Sequence, residues 1–243
     1  MTTSHSDCFN GILLVDKPVG PTSHDVVHKI RKIFKIAKVG HGGTLDPNAT
    51  GLLIILLGKG TKLSDQIMGS DKAYSGVMRL GRVTSSQDCD GEILEEHPFE
   101  HITQEQVAAE MKKLEGDIYQ MPPMVSAIKM NGVPLYKLAR KGEEVERKPR
   151  LIHIYRYTLT AWNPPQVSFI TDCTKGTYVR TLAHDVGQTL GCGASLDALR
   201  RLKSGDLDVK DALPFDEILA LTPEQLATRV IPIAQIHAAQ AKF

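Results

Sequence analysis

A mixed-sheet α/β (α+β) fold is what this sequence predicts, on three observations. Strand-like and helix-like stretches interleave along the chain instead of falling into separate blocks. Asn131-Gly132 stands between an apolar-polar run at 126–130 and Val133, a two-residue hairpin signal. Residues 151–162 and 167–174 read as a second strand pair, joined by Asn163-Pro164-Pro165. Hairpins pair antiparallel, so a doubly wound parallel sheet is disfavoured.

The elements follow in order. Residues 9–15 form a first strand that ends at Asp16-Lys17-Pro18. Ser23 is the expected N-cap of a helix whose apolar stripe is Val26, Val27, Ile30, Ile33 and Phe34. Residues 51–58 are an unbroken aliphatic run bounded by glycines, the mark of a strand buried on both faces. A short helix over 59–68 and a strand over 73–82 come next. Thr103 and Gln106 form a capping box for a helix carrying Val107, Met111 and Leu114. After the hairpin pairs, Val179, Leu182, Val186 and Leu190 share a helical face. Thr222-Pro223-Glu224 opens a last helix, with proline at its first position. No internal repeat and no low-complexity linker divides the chain.

Composition narrows the function classes. At 243 residues and 42% hydrophobic content, the chain has enough apolar material for one large domain or two small ones. Its longest aliphatic run, 52–57, is too short to span a bilayer. The N-terminus has neither the basic nor the apolar region of a signal peptide. Four scattered cysteines, Cys8, Cys89, Cys173 and Cys192, suit a reducing cytosol and offer no paired metal ligands. The expected location is cytoplasmic. Net charge is only +1, but the charges are segregated. Residues 28–41 hold Lys29, Arg31, Lys32, Lys35 and Lys38 without an acid; residues 86–106 hold seven acids without a Lys or Arg. A neutral total can thus conceal a basic face suited to a polyanion.

The chemistry concentrates in Gly40-His41-Gly42-Gly43-Thr44-Leu45-Asp46-Pro47-Asn48-Ala49-Thr50-Gly51. Glycines allow close backbone approach, and Pro47 pushes Asp46 out of helical geometry. Asp46 is thereby displayed on a loop just before a buried strand, a good arrangement for a nucleophile. Asp-Pro alone would be no more than a turn. The second informative stretch, Lys175-Gly176-Thr177-Tyr178-Val179-Arg180, follows a strand and opens a helix. If Tyr178 to Arg180 is extended, both side chains lie on one face. An arginine keeps a neighbouring carboxylate ionised, and a tyrosine ring offers a surface to a nucleobase. There is no Walker A loop, dinucleotide fingerprint, zinc deaminase signature or hydrolase elbow.

Taken together, the ordered segments resemble the bacterial TruB-type tRNA pseudouridine-55 synthases. The resemblance rests on Gly11 to Pro18 with Thr22-Ser23, on Gly40 to Pro47 with Ala49-Thr50-Gly51, and on Leu57 to Lys62. Lys72-Ala73-Tyr74, Leu80-Gly81 with Thr84, Asp88 to Gly91, Pro122-Pro123 with Ser126-Ala127, Lys175 to Leu182 and Leu199-Arg200-Arg201 continue it, over about residues 11–203. It implies a pseudouridine-synthase-like fold: a mixed, largely antiparallel sheet flanked by helices, with an RNA-gripping insertion at 124–150.

Site roles are implied in the same way. Asp46 falls on the catalytic aspartate and Arg180 on its arginine partner. Tyr74 and Tyr178 fall on the tyrosines flanking the target base, Tyr74 with an assisting role in catalysis. Leu199 falls on an apolar pocket residue, and His41 on the histidine that fills the gap left by the flipped nucleotide. Lys17, Lys62 and Asp88, in the same motif segments, are implied to bind substrate. The implied reaction isomerises uridine in the tRNA T loop, with no metal and no organic cofactor. The implied partner is the tRNA T stem-loop and the implied state a monomer, with no membrane association.

The expected organisation is a catalytic domain over 1–205 and a short helical extension over 206–243, without the PUA domain that many relatives carry. Two other readings are weaker. A non-catalytic KH-type RNA module would use Gly40-His41-Gly42-Gly43 but leave Asp46, Tyr178 and Arg180 without purpose. A methyltransferase would need a glycine signature that is absent.

Overall fold

The computed structural model describes residues 9–126, 129–130, 132–135, 138 and 145–240. In chain order, β1 (Gly11–Lys17) leads into α1 (Ser23–Phe34), and β2 (Val39–His41) and β3 (Ala49–Leu57) bracket the Asp46 loop. A 3-10 helix (Gly58–Leu63) runs into α2 (Ser64–Met68). Next come β4 (Lys72–Leu80), β5 (Arg82–Thr84), β6 (Ile93–Glu96), α3 (Gln104–Lys113) and β7 (Gly116–Gln120). The short β8 (Lys129–Met130) and β9 (Val133–Pro134) precede β10 (Arg150–Asn163) and β11 (Gln166–Cys173). A helix at Val179–Leu190 and β12 (Ala194–Ser204) follow, then β13 (Leu207–Asp208), β14 (Leu213–Pro214) and β15 (Ile231–Pro232). Helices at Phe215–Leu219, Pro223–Arg229 and Ile233–Gln240 complete the chain. Among the described residues no helix is long and apolar enough to cross a membrane.

The chain divides into two compact units, residues 1–72 with 200–243, and residues 73–199. In the first unit β1 lies antiparallel to β3 over its whole length, from Gly11 opposite Leu57 to Lys17 opposite Gly51. Both strands are buried on both faces, as their unbroken aliphatic sequences require. Ile12, Leu14, Leu52, Ile54 and Leu56 form one core layer with Leu63 and Ile67, against which Ile231, Ile233 and Ile236 pack. Residues beyond 205 also extend the sheet: β14 pairs parallel with β1, and β15 pairs antiparallel with its start. The Pro223–Arg229 helix has its proline at the start, as expected, and a Thr222 capping box with Gln225 that was not foreseen, but it is not the last; Ile233–Gln240 follows Pro232.

Helix α1 departs from expectation in two details. Its N-cap is Thr22, not Ser23: Thr22 Oγ1 accepts from the Asp25 amide at 3.0 Å, and Asp25 accepts from the Thr22 amide at 2.9 Å. Ser23 is the first helical residue, and its hydroxyl is engaged elsewhere. Ile33 is exposed; the buried face is Val26, Val27, Ile30 and Phe34.

In the second unit β10 is central to a three-stranded antiparallel array, with β7 on one side and β11 on the other. β4 lies beyond β11. Val107 and Met111 of α3 and Val179, Leu182 and Val186 of the Val179–Leu190 helix share a core with Ile152, Ile154, Val167 and Phe169. The expected strand over 73–82 breaks at Gly81, whose φ is +83°. A Cβ there would stand 2.7 Å from Phe99 and 2.9 Å from the His97 carbonyl, which excludes a side chain. The expected hairpin is present as β8 paired with β9, with Gly132 at φ +83°. Asn131 lies outside the described residues, as do Lys137, Arg140 and Lys141 of the expected insertion.

Each unit is thus built on a mostly antiparallel sheet flanked by helices, the predicted fold class. Strand β12 was not foreseen, because its polar stretch Arg200-Arg201-Leu202-Lys203 hides the alternation.

Candidate active site

In the first unit the Asp46 loop is fixed by its backbone. Five consecutive carbonyls each accept a hydrogen bond. Arg201 Nη2 donates to Gly43 at 3.2 Å, and Nη1 makes a longer 3.4 Å contact to Thr44. Ser23 Oγ donates to Leu45 at 3.0 Å. The Ala49 amide donates to Asp46 at 3.0 Å. Lys17 Nζ and the Gly20 amide both donate to Pro47, at 3.1 and 3.0 Å. The Leu45 amide returns a bond to Ser23 Oγ at 2.8 Å, and the Leu45 side chain is buried.

The glycines of the motif have separate reasons. A Cβ on Gly42 would stand 2.4 Å from Ile67, and one on Gly51, at φ +96°, 2.3 Å from the Arg201 carbonyl. Glycine is therefore required where β3 begins and where the loop crosses Ile67. Arg201 is buried, and its Nε also donates to Leu52 at 2.7 Å, so one guanidinium ties β3 to the loop.

Lys17, expected to bind substrate, is fully buried, and its ammonium donates to the carbonyls of Pro18, Pro21 and Pro47 at 2.8, 2.9 and 3.1 Å. Three acceptors match its three N–H bonds. Burial pushes its pKa down to about 8, against the opposing attraction of the Asp46 carboxylate. Its position makes it a clamp for the loop. His41 closes β2 and is partly buried; its pKa is held below the ordinary value by burial first, then by His24 and Arg201. Its Nδ1 has no hydrogen-bond partner among the described residues. Lys62 is exposed on the 3-10 helix. Arg200 makes a two-pronged pair with Asp16 at 2.9 and 2.7 Å, across the edge where β1 ends.

In the second unit Arg180 is buried in the first turn of the Val179–Leu190 helix. The helix begins at Val179 with Tyr178 as its extended cap, so the segment from Tyr178 to Arg180 is not a strand, contrary to the extended reading. The two side chains are neighbours nonetheless, the guanidinium carbon lying 6.0 Å from the Tyr178 ring centre. Arg180 Nη1 donates to Asp88 at 2.9 Å and Nη2 to the Val125 carbonyl at 2.8 Å.

Asp88, also expected to bind substrate, thus holds Arg180. It accepts further bonds from Ser86 Oγ and from the Asp90 amide. Gln120 grips Tyr178 from both sides, donating to its carbonyl at 3.1 Å and accepting from its amide at 2.8 Å. Tyr74, on β4, and Leu199, on β12, are half-buried against the second unit's core.

Sequence reading alone therefore found the displayed groups and passed over several that hold them. Ser23, Arg201 and Gln120 are the clearest cases. Ser23 looked like a cap, and the signal for Arg201 was its place in the Leu199-Arg200-Arg201 segment.

Residues 31–179 match the N-terminal domain model of the TruB family pseudouridylate synthases, and residues 180–236 match the tRNA pseudouridylate synthase B C-terminal domain. The tRNA pseudouridine synthase B of Opitutus terrae is 52% identical over 227 residues, covering 93% of this chain and 94% of that protein. That of Endomicrobium trichonymphae is 43% identical, covering 96% of this chain and 100% of that protein. Among solved structures, a protein in the crystal structure of a Cbf5-Nop10-Gar1 complex superposes with a TM-score of 0.72 at 28% identity. The match covers 93% of this chain but only 60% of that protein's length. The matched chain in an H/ACA RNP bound to a substrate RNA containing 2'-deoxyuridine gives 0.65 at 28% identity, with 89% and 54% covered. With a family model matching well over half its length and relatives this similar over nearly all of it, the chain belongs to the TruB family of pseudouridylate synthases.

Proposed function

We propose that the protein converts the uridine at position 55, in the T loop of tRNA, to pseudouridine, acting in the cytoplasm as a monomer. The observation that carries this reading is the Asp46 loop, with five successive carbonyls held by donors. A carboxylate on so fixed a backbone needs little reorganisation at the moment of reaction.

In the reaction the N1–C1′ bond breaks, the base turns, and C5 bonds to C1′. The C5 proton leaves to solvent and N1 takes one up, so no oxidant or reductant is needed. The target must first leave its stack, at a cost of a few kcal/mol that stacking and base-edge hydrogen bonds offset. Asp46 serves ionised, attacking C1′ or C6, or taking a proton on the way to a glycal. Arg180 is its cationic partner. Tyr74 and Tyr178 flank the base, Tyr74 assisting removal of the C5 proton; Leu199 lines the pocket, and His41 occupies the place of the flipped nucleotide. These roles rest on the family resemblance. Residues 124–150 serve as the RNA-gripping insertion, and the basic face of α1 contacts phosphates.

The assay is direct. A tRNA transcript tritiated at uridine C5, incubated without added cofactor, should release one tritium per molecule to water. Release from a transcript lacking uridine at position 55, or none from the intact transcript, would reject the assignment.

A further inference from the structure

Strand β7 pairs with β10 and with no other strand among the described residues. Leu151 stands opposite Tyr119, and His153 opposite Asp117. Side chains alternate along a strand, so Tyr119 shares a face with Leu151 and His153, while Ile152 and Ile154 are buried on the other. The His153 and Tyr155 rings lie 4.6 Å apart, which brings Tyr155 to the same face. Tyr119 is 75% exposed, Leu151 60% and Tyr155 53%. A sheet edge with this much uncovered aromatic and aliphatic surface marks an interaction site.

The rim is basic. Lys148 and Arg150 are exposed on the lead into β10. Lys175, also exposed, follows Thr174, whose amide donates to the His153 carbonyl at 2.9 Å. Of the nearby acids, Asp117 is bonded to His153 at 2.7 Å, and Glu146, though exposed, is outnumbered by the three cations.

We propose that the Tyr119–Leu151–Tyr155 face stacks unpaired nucleotides that flank the target stem-loop. Exposed rings accept any base on their flat faces, and a lysine and arginine rim suits phosphates. A protein partner fits less well, since protein interfaces are depleted in lysine. From Leu151 to Tyr155 the strand spans about 13 Å, room for a short run of nucleotides. The proposal rests on the reading above only in taking RNA as the partner.

Binding of two RNAs tests it: a blunt T-arm stem-loop, and the same stem-loop with short single-stranded uridine tails. The wild-type protein should bind the tailed RNA about tenfold more tightly, within the range for one or more stacked bases. The Tyr119→Ala/Tyr155→Ala protein should bind both RNAs alike, while its affinity for the blunt RNA and its tritium release stay at wild-type levels. Both side chains are exposed, so folding is not at stake; a Tyr119→Phe/Tyr155→Phe protein should keep the preference. Absence of a tail preference in the wild type, or its survival in the alanine variant, overturns the proposal. So does sedimentation showing a dimer that the same variant dissolves, with no tail preference. A tail preference without tritium release would uphold the stacking face and reject the catalytic assignment.

Discussion

Ser23 Oγ donates to the Leu45 carbonyl at 3.0 Å and accepts from the Leu45 amide at 2.8 Å, so one hydroxyl satisfies both backbone groups of the residue before Asp46. Helix α1 is therefore coupled to the Asp46 loop through its first residue, which is why Thr22 does the capping. Ser23→Ala leaves both Leu45 groups without partners in a buried place, a loss of about 1–3 kcal/mol. Melting should fall by several degrees. Tritium release should fall more than stability alone explains, by about a hundredfold if the loop shifts by an ångström, with RNA affinity little changed. Wild-type melting and turnover in this variant would show that the coupling has no consequence.

Asp46→Asn keeps the shape and turn preference of the residue but supplies no charged oxygen. The protein should fold, bind RNA through phosphate contacts and stacking, and release no tritium. Near-normal turnover in the folded, RNA-binding variant would refute the mechanism.

Asp88→Ala removes a carboxylate bonded to buried Arg180. Breaking one side of a buried pair costs about 3–5 kcal/mol, because the remaining charge is left uncompensated. Melting should drop markedly and turnover with it. Arg180→Met with Asp88→Ala should recover much of the stability and none of the activity. Equal recovery of both would place the pair outside catalysis.

Asp185 gives a pH signature. Burial raises its pKa to about 6, so the native state binds this proton more tightly than the unfolded chain. Its contribution to stability therefore rises as pH falls from 6 towards 3.8, and above 6 it is a constant penalty. Asp185→Asn should melt higher than wild type at pH 7.5, by about 2–4 °C for a gain near 1 kcal/mol after discounting for solvent screening. The advantage should shrink towards pH 4. A difference that stays constant over this range would contradict it.

The basic residues of α1 and the turn after it should be felt through salt. None of Lys32, Lys35 and Lys38 joins an ion pair among the described residues, and all three are exposed. Replacing them with glutamine should weaken tRNA binding and lower the salt slope by about 0.9 for each phosphate that is no longer neutralised. An unchanged slope would move the RNA off this face.

Sequence by itself determined what depends on local chemistry. The buried run of β3, the capping box at Thr103, the helix start at Pro223, the Gly132 hairpin and the display of Asp46 before Pro47 follow from periodicity and turn geometry over a few residues. The family follows from ordered motifs, which are also local. What only the tertiary structure decided was how long-range partners are shared out. Ser23 could cap its own helix or bond Leu45, and Thr22 settled the choice because Asp25 completed a box with it. Lys17 could have faced substrate, but three carbonyls converge on its ammonium. Arg201, far beyond Asp46 in sequence, reaches the loop because β12 carries it there. Such pairings depend on which buried polar groups meet, and each must find a partner or incur its desolvation cost. That balance is struck across the whole fold and leaves no pattern in neighbouring residues.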